Sequence, residues 1–125
     1  MPERESPRRR ILVVDDEQDI IDILQEHLAT TYDVTSARDG RRALELVRAT
    51  HPDLIFLDIA MAGINGLDVL KAMKQLDPTI PVIAITKKAD TSLAGEALKC
   101  GAFSYFPKPF DLRYLEHLAA SALSR

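Results

Sequence analysis

The sequence predicts an α/β fold: a doubly wound, five-stranded parallel sheet with helices on both faces. Three observations carry that prediction. The runs Ile11-Leu12-Val13-Val14, Leu54-Ile55-Phe56-Leu57 and Val82-Ile83-Ala84-Ile85 are apolar without polar alternation, as strands buried on both faces require. Between them, apolar residues recur at spacings of three and four, the mark of a helix with one buried stripe. Strand and helix alternate along the whole chain, which implies parallel pairing through right-handed crossovers.

In chain order, the strand Ile11–Val14 ends at Asp15-Asp16-Glu17 and is followed by a helix over about Glu17–Ala29, with Asp16 near its cap and Ile20, Ile21, Ile23, Leu24 and Leu28 as its apolar set. A shorter strand spans Asp33–Ala37. Asp39-Gly40 opens a helix with Ala43, Leu44 and Val47 inward, which closes before His51-Pro52 because proline disfavours helical geometry in the residue before it. The central strand runs into Asp58, and Asn65 caps a helix whose inner face carries Leu67, Leu70 and Met73. Val82–Ile85 stops at Thr86-Lys87-Lys88. A helix with Leu93, Ala94, Ala97 and Leu98 inward then runs to Gly101, a helix-terminating glycine. Phe103–Phe106 is the last strand, with Pro107 at its end as an edge strand tolerates, and a helix striped by Leu112, Leu115, Leu118, Ala119 and Ala122 closes the chain.

A chain of 125 residues fits one domain with a core of its own, burying about two-thirds of its unfolded surface. Residues 1–9 read as a flexible basic lead-in and 10–125 as the domain. No apolar run approaches the roughly 18 residues of a membrane span, and Met1–Arg10 lacks the apolar segment of a secretory signal, so a cytoplasmic location without membrane contact is expected. The net charge of -3 speaks against nucleic-acid contact by the domain as a whole. Cys100 is the single cysteine and reads as a small buried thiol; His27, His51 and His117 have no ligand-like spacing.

Ligands of doubly wound sheets bind beyond the carboxyl ends of the strands. Those ends carry Asp15 and Asp16, Asp58, Thr86 and Lys108. Each alone has a plain structural reading as a cap, a turn residue or a solvated cation; their joint placement points to a site. Three carboxylates in one crevice repel, and a hard divalent cation relieves them better than Lys108 alone. Mg²⁺ takes one or two carboxylates together with water and phosphate oxygens, whereas the absence of histidine and cysteine argues against zinc. A cation, a carboxylate, a hydroxyl and a lysine suit phosphoryl transfer to an aspartate.

Val13-Val14-Asp15-Asp16-Glu17, Leu57-Asp58-Ile59-Ala60-Met61, Ile85-Thr86 and Tyr105-Phe106-Pro107-Lys108-Pro109-Phe110 together resemble the receiver domain of two-component response regulators. The resemblance covers about residues 10–123 and implies a flavodoxin-like sheet of strand order 2-1-3-4-5. It further implies that Asp58 accepts a phosphoryl group from a sensor histidine kinase or phosphotransfer protein. Asp16 would then bind Mg²⁺ directly and Asp15 largely through water, with Asp58 and the backbone carbonyl of Ala60 as further ligands. Thr86 and Lys108 would each hold a phosphoryl oxygen, Tyr105 would be the switch aromatic, and the Lys108-Pro109 bond would be cis. Such a domain is a phosphoacceptor switch rather than an enzyme acting on other molecules, and homodimerisation through the fourth helix, last strand and last helix is an expected consequence.

The chain departs from the family pattern in two places: Ala62 stands where proline is common, and Lys87 follows Thr86 where a small residue is usual. Ala60, besides, has no side chain to position water. Lys87 is therefore expected to modulate phosphorylation, and dephosphorylation is expected to be slow. Two rivals remain at this point. One is a docking module that is never phosphorylated, which Lys87 and Ala62 favour; the other is a Mg²⁺ phosphatase with an aspartyl intermediate, which the missing second acid at Ala60 disfavours.

Overall fold

The computed structural model describes residues 8–61, 65–87, 91–108 and 111–124. Its elements alternate as β1 (Arg10–Val14), α1 (Gln18–Leu28), β2 (Asp33–Ala37), α2 (Gly40–Thr50), β3 (Leu54–Asp58), α3 (Gly66–Leu76), β4 (Val82–Lys87), α4 (Thr91–Lys99), β5 (Ser104–Lys108) and α5 (Leu112–Leu123). All five strands are parallel and lie in the order β2-β1-β3-β4-β5. Chain order and spatial order part company at β1, whose neighbours are β2 on one side and β3 on the other. The switch point therefore falls between β1 and β3, and the crevice opens beyond Val14 and Asp58.

Side chains alternate across the pleat, so each central strand feeds two cores. Leu12, Val14, Ile55, Leu57, Val82 and Ala84 pack with α2, α3 and α4 residues such as Val47, Leu70, Met73 and Ala97. Ile11, Val13, Leu54, Phe56, Ile83 and Ile85 face the other way, against Ile21 and Leu24 of α1 and Leu115 and Ala119 of α5. Every residue of β3 is buried, which accounts for its unbroken apolar run. The edge strand β2 alternates exposed and covered positions instead.

Local signals set the helix ends. Asn65 accepts from the Leu67 and Asp68 N–H groups, Asp39 from Arg42 N–H and Asp111 from Arg113 N–H, satisfying donors that an α-helix leaves unpaired at its start. Gly101, just past α4, has φ of +106°, a conformation that L side chains rarely adopt. His51 closes α2 at φ +48° with its N–H on the Val47 carbonyl. Pro52 disfavours the right-handed helical region for this residue, which takes the left-handed one.

Two expectations need correction, the place of Leu98 and the bounds of the last strand. Leu98 is 43% exposed rather than inward, because the short α4 turns only Ala94 and Ala97 fully to the core. Of the apolar set of α1, Ile23 is exposed at 42%, outside the stripe formed by Ile21, Leu24 and Leu28. Glu17 is the residue that caps α1, with Asp16 beside it as expected, and its N–H donates to Asp15 Oδ1 at 2.9 Å. Strand β5 starts at Ser104 and runs through Pro107 to Lys108: Pro107 faces Thr86 across the ladder, and β5 has a neighbour on one side only, where the missing proline N–H does no harm. The Lys108-Pro109 peptide and Ala62 lie outside the described residues.

Candidate functional site

The carboxyl ends of β1, β3, β4 and β5 surround a cavity of about 310 Å³ lined by Asp16, Glu17, Asp58, Ala60, Thr86, Lys87 and Lys108. Asp15 sits beneath it, fully buried, with its N–H bonded to the Ala37 carbonyl at the end of β2. Asp58 is 3% exposed; its Oδ1 accepts from Ala60 N–H at 2.8 Å. Thr86 is 2% exposed, one residue past Ile85, which pairs with Asp58 across the β3–β4 ladder. Asp15, Asp16, Asp58, Thr86 and Lys108 are thus brought to one rim. Lys87 is exposed at the same cavity. Tyr105, at 39% exposure, faces outward from β5, next to the buried Phe106.

Lys108 joins these parts. Its Nζ lies 2.7 Å from Glu17 Oε1, 3.0 Å from Asp58 Oδ2 and 3.1 Å from Asp15 Oδ2. Burial would push this ammonium down, but its bonds to Glu17, Asp58 and Asp15 outweigh burial and hold it above the ordinary lysine range. Asp15 is raised as well, which for a carboxylate disfavours the charged form. Burial pushes it up, and the Asp58 charge adds to that; together they overcome the Glu17 N–H bond and Lys108, placing it at about 6. Glu17 is the member of the site that the sequence reading passed over. It was visible as the third acid of the Asp15-Asp16-Glu17 triplet but was read only as the start of a helix.

The donor set fits a hard divalent cation. Asp15, Asp16, Glu17 and Asp58 each offer one oxygen, and these oxygens lie within 4.8 Å of one another. Opposite corners of a Mg²⁺ octahedron are about 4.2 Å apart, so a small contraction of the Asp15, Asp16 and Asp58 oxygens would admit the ion, while the Glu17 carboxylate is taken up by Lys108. No histidine or cysteine belongs to the group, which disfavours zinc. Four carboxylates against one inner ammonium also leave an excess of negative charge for a cation to neutralise.

The raised Asp15 gives a test. A carboxylate whose folded pKa exceeds its unfolded value binds its proton more tightly when folded, so it favours the fold at low pH and costs stability as pH rises through the window from 3.8 to about 6. Without divalent cations, the stability of the protein relative to Asp15→Asn should fall across that window by up to about 3 kcal/mol. Mg²⁺ should flatten the fall, adding about 1.4 kcal/mol at neutral pH when present at tenfold its Kd. Urea unfolding from pH 4 to 7.5, with Mg²⁺ or with chelator, measures both effects.

A parallel 2-1-3-4-5 sheet with a cation-ready acidic pocket beyond its carboxyl edge defines a flavodoxin-like domain suited to phosphoryl chemistry. The chain belongs to the response regulator receiver domain family, whose model matches residues 11–120. It is 41% identical over 115 residues to the regulatory protein AtoC of Escherichia coli K12, covering 91% of this chain and 25% of AtoC. The transcriptional regulatory protein ZraR of the same strain is 43% identical over 115 residues, covering 91% of this chain and 26% of ZraR. The crystal structure of the receiver domain of NtrX from Brucella abortus superposes with a TM-score of 0.88 at 35% identity, covering 91% of this chain and 98% of that one. The chain thus spans about a quarter of the length of these curated relatives. Receiver domains are in general phosphoacceptor switches of two-component signalling that bind Mg²⁺ at an acidic pocket and work with histidine kinases or phosphotransfer proteins. Among the described residues, no helix is long and apolar enough to cross a membrane.

Proposed function

We propose that Asp58 is the phosphoacceptor of this receiver and that its phosphorylation, with Mg²⁺ bound, switches the domain. The observation that carries the reading is the setting of the Asp58 carboxylate: nearly buried at a strand end, 3.0 Å from Lys108 Nζ and grouped with three more acids. Bound Mg²⁺ would neutralise charge on the transferred group. Asp16, Asp58 and the Ala60 carbonyl would hold the ion directly, and Asp15 through water. Asp58 supplies the nucleophilic oxygen, Lys108 and the Thr86 hydroxyl each take a phosphoryl oxygen, and the buried pocket limits hydrolysis.

The switch runs through Thr86 and Tyr105. Thr86 drawn toward the phosphoryl group vacates space beneath the last strand, and the outward Tyr105 turns in to fill it. The surface changed by this movement is that of α4, β5 and α5, where Leu98, Tyr105 and Tyr114 are exposed. That face suits a second copy or an output partner. Moving such an equilibrium from 1:99 to 99:1 takes roughly 5.5 kcal/mol of differential binding, a sum within reach of several charge-assisted bonds to one phosphoryl group. The receiver unit extends over 10–125 behind a lead-in of 1–9, works in the cytoplasm, and takes its phosphoryl group from a sensor kinase or phosphotransfer protein. The phosphorylation hypothesis is tested by exposure to acetyl phosphate and Mg²⁺ followed by intact mass: a single phosphoryl adduct supports it, and an unmodified chain removes it in favour of a docking module.

Lys87 tunes the rates. It lines the cavity from an exposed position, so its ammonium can meet a phosphoryl oxygen or the incoming donor. Lys87→Ala should change the uptake or loss of phosphate by roughly two- to fivefold, the scale of an exposed charge pair. Equal rates for both steps in the two proteins would leave Lys87 without a role.

A further inference from the structure

Lys108 makes its shortest contact, 2.7 Å, with Glu17, and that partner differs from the others. Asp15 and Asp58 are buried, and each has its second oxygen tied to a backbone N–H, from Glu17 and Ala60 respectively. The Glu17 side chain is 61% exposed and stands just before the first turn of α1. Lys108 thus spans two fixed carboxylates and one that can leave for water.

We propose that Glu17 is a displaceable counter-ion, a positioning residue that holds Lys108 over Asp58 in the resting protein and slows phosphoryl uptake until it lets go. The proposal rests on Asp58 as phosphoacceptor. The ammonium donates to Glu17 and Asp58 and stands 3.1 Å from the buried Asp15 oxygen as an ion pair, so carboxylates crowd it on three sides. In the transfer, an Asp58 oxygen bonds to phosphorus as the bond from phosphorus to the donor's leaving group breaks, the leaving group departing with the electron pair. The arriving phosphoryl oxygens then ask Lys108 for a donor. Moving the ammonium away from the buried Asp15 and Asp58 would strand charge in the interior, whereas withdrawing the donor from Glu17 returns a carboxylate to solvent at little cost. Glu17 is the contact that gives way.

The test measures phosphoryl uptake from acetyl phosphate at saturating Mg²⁺, by intact mass, in the unmodified protein and in Glu17→Gln, together with calorimetric Mg²⁺ affinity. Glu17→Gln should take up phosphate roughly two- to fivefold faster, and the ratio should shrink toward one as salt screens the exposed pair. Its Mg²⁺ affinity should stay within about twofold, since Glu17 serves the lysine and not the cation. Slower uptake, an unchanged rate at all salt concentrations, or a larger loss of Mg²⁺ affinity would overturn the proposal, the last by assigning Glu17 to the cation. Absence of any adduct on the unmodified protein would instead overturn the role of Asp58, and the two failures are distinguishable on that ground.

Discussion

Asp58→Asn should abolish phosphoryl uptake, lowering the adduct formed with acetyl phosphate and Mg²⁺ by at least about a hundredfold while leaving the protein folded. The loss is chemical: an amide oxygen lacks the charge that makes a carboxylate a nucleophile, and among the described residues no neighbour is placed to take over. Asp15 is buried with one oxygen bound to Glu17 N–H and the other facing Lys108, and Asp16 and Glu17 come from the loop after β1 rather than from the central strand. Folding should survive because the substitution is nearly isosteric and removes one of four clustered negative charges, one that raises the Asp15 pKa. The Lys108 ammonium keeps Glu17 and Asp15 as partners. Intact mass reads the adduct and a melting curve reads the fold. An adduct of undiminished yield would show that another side chain accepts the group; a collapsed melting transition would make the variant uninformative on chemistry, and Asp58→Glu, which retains a carboxylate, would then decide whether charge at this strand end is what uptake needs.

The second large effect concerns Gly66 rather than an acid. A Cβ built there would overlap Ile59 Cα and the Ile59 carbonyl oxygen, both backbone atoms that cannot rotate aside. Gly66 opens α3 and rests on the residue immediately after Asp58. Gly66→Ala should therefore destabilise the fold by about 3 kcal/mol or more, at the upper end of overpacking penalties, and should disturb the segment that carries Asp58 and Ala60. Two other glycines calibrate this result. A Cβ at Gly40 would meet Val69 Cγ2 at 2.8 Å, the end of a side chain, so Gly40→Ala should cost about 1 kcal/mol. A Cβ at Gly95, within the exposed side of α4, meets nothing within 4 Å, and Gly95→Ala should stabilise by about 0.5–1 kcal/mol through helix propensity. Urea unfolding of the three variants orders them, and an order other than Gly66, Gly40, Gly95 from most to least harmful would contradict the packing described.

The two glycine contacts could not be read from the chain, since Asn65-Gly66 looks like a cap and a turn whatever lies above it. Contact with Ile59 exists only because α3 folds back on the strand it follows. Glu17 was hidden for a related reason: its helix-start position explains it locally, and its bond to Lys108 joins residues 91 positions apart. Leu98 was misplaced because α4 is short and lies near the edge of the sheet, where the described residues leave Leu98 partly uncovered.

What the sequence alone determined is the alternation of buried strands and amphipathic helices, and with it the delivery of Asp15, Asp58, Thr86 and Lys108 to strand ends, because unbroken apolar runs have one stable environment and polar residues must stop them. Tertiary structure alone decided the electrostatics. Three carboxylates converge on one lysine, and burial lifts Asp15 to about 6 while the same contacts hold Lys108 protonated. Such shifts depend on distance and solvent exclusion, which are properties of strands packed side by side and not of any segment taken singly.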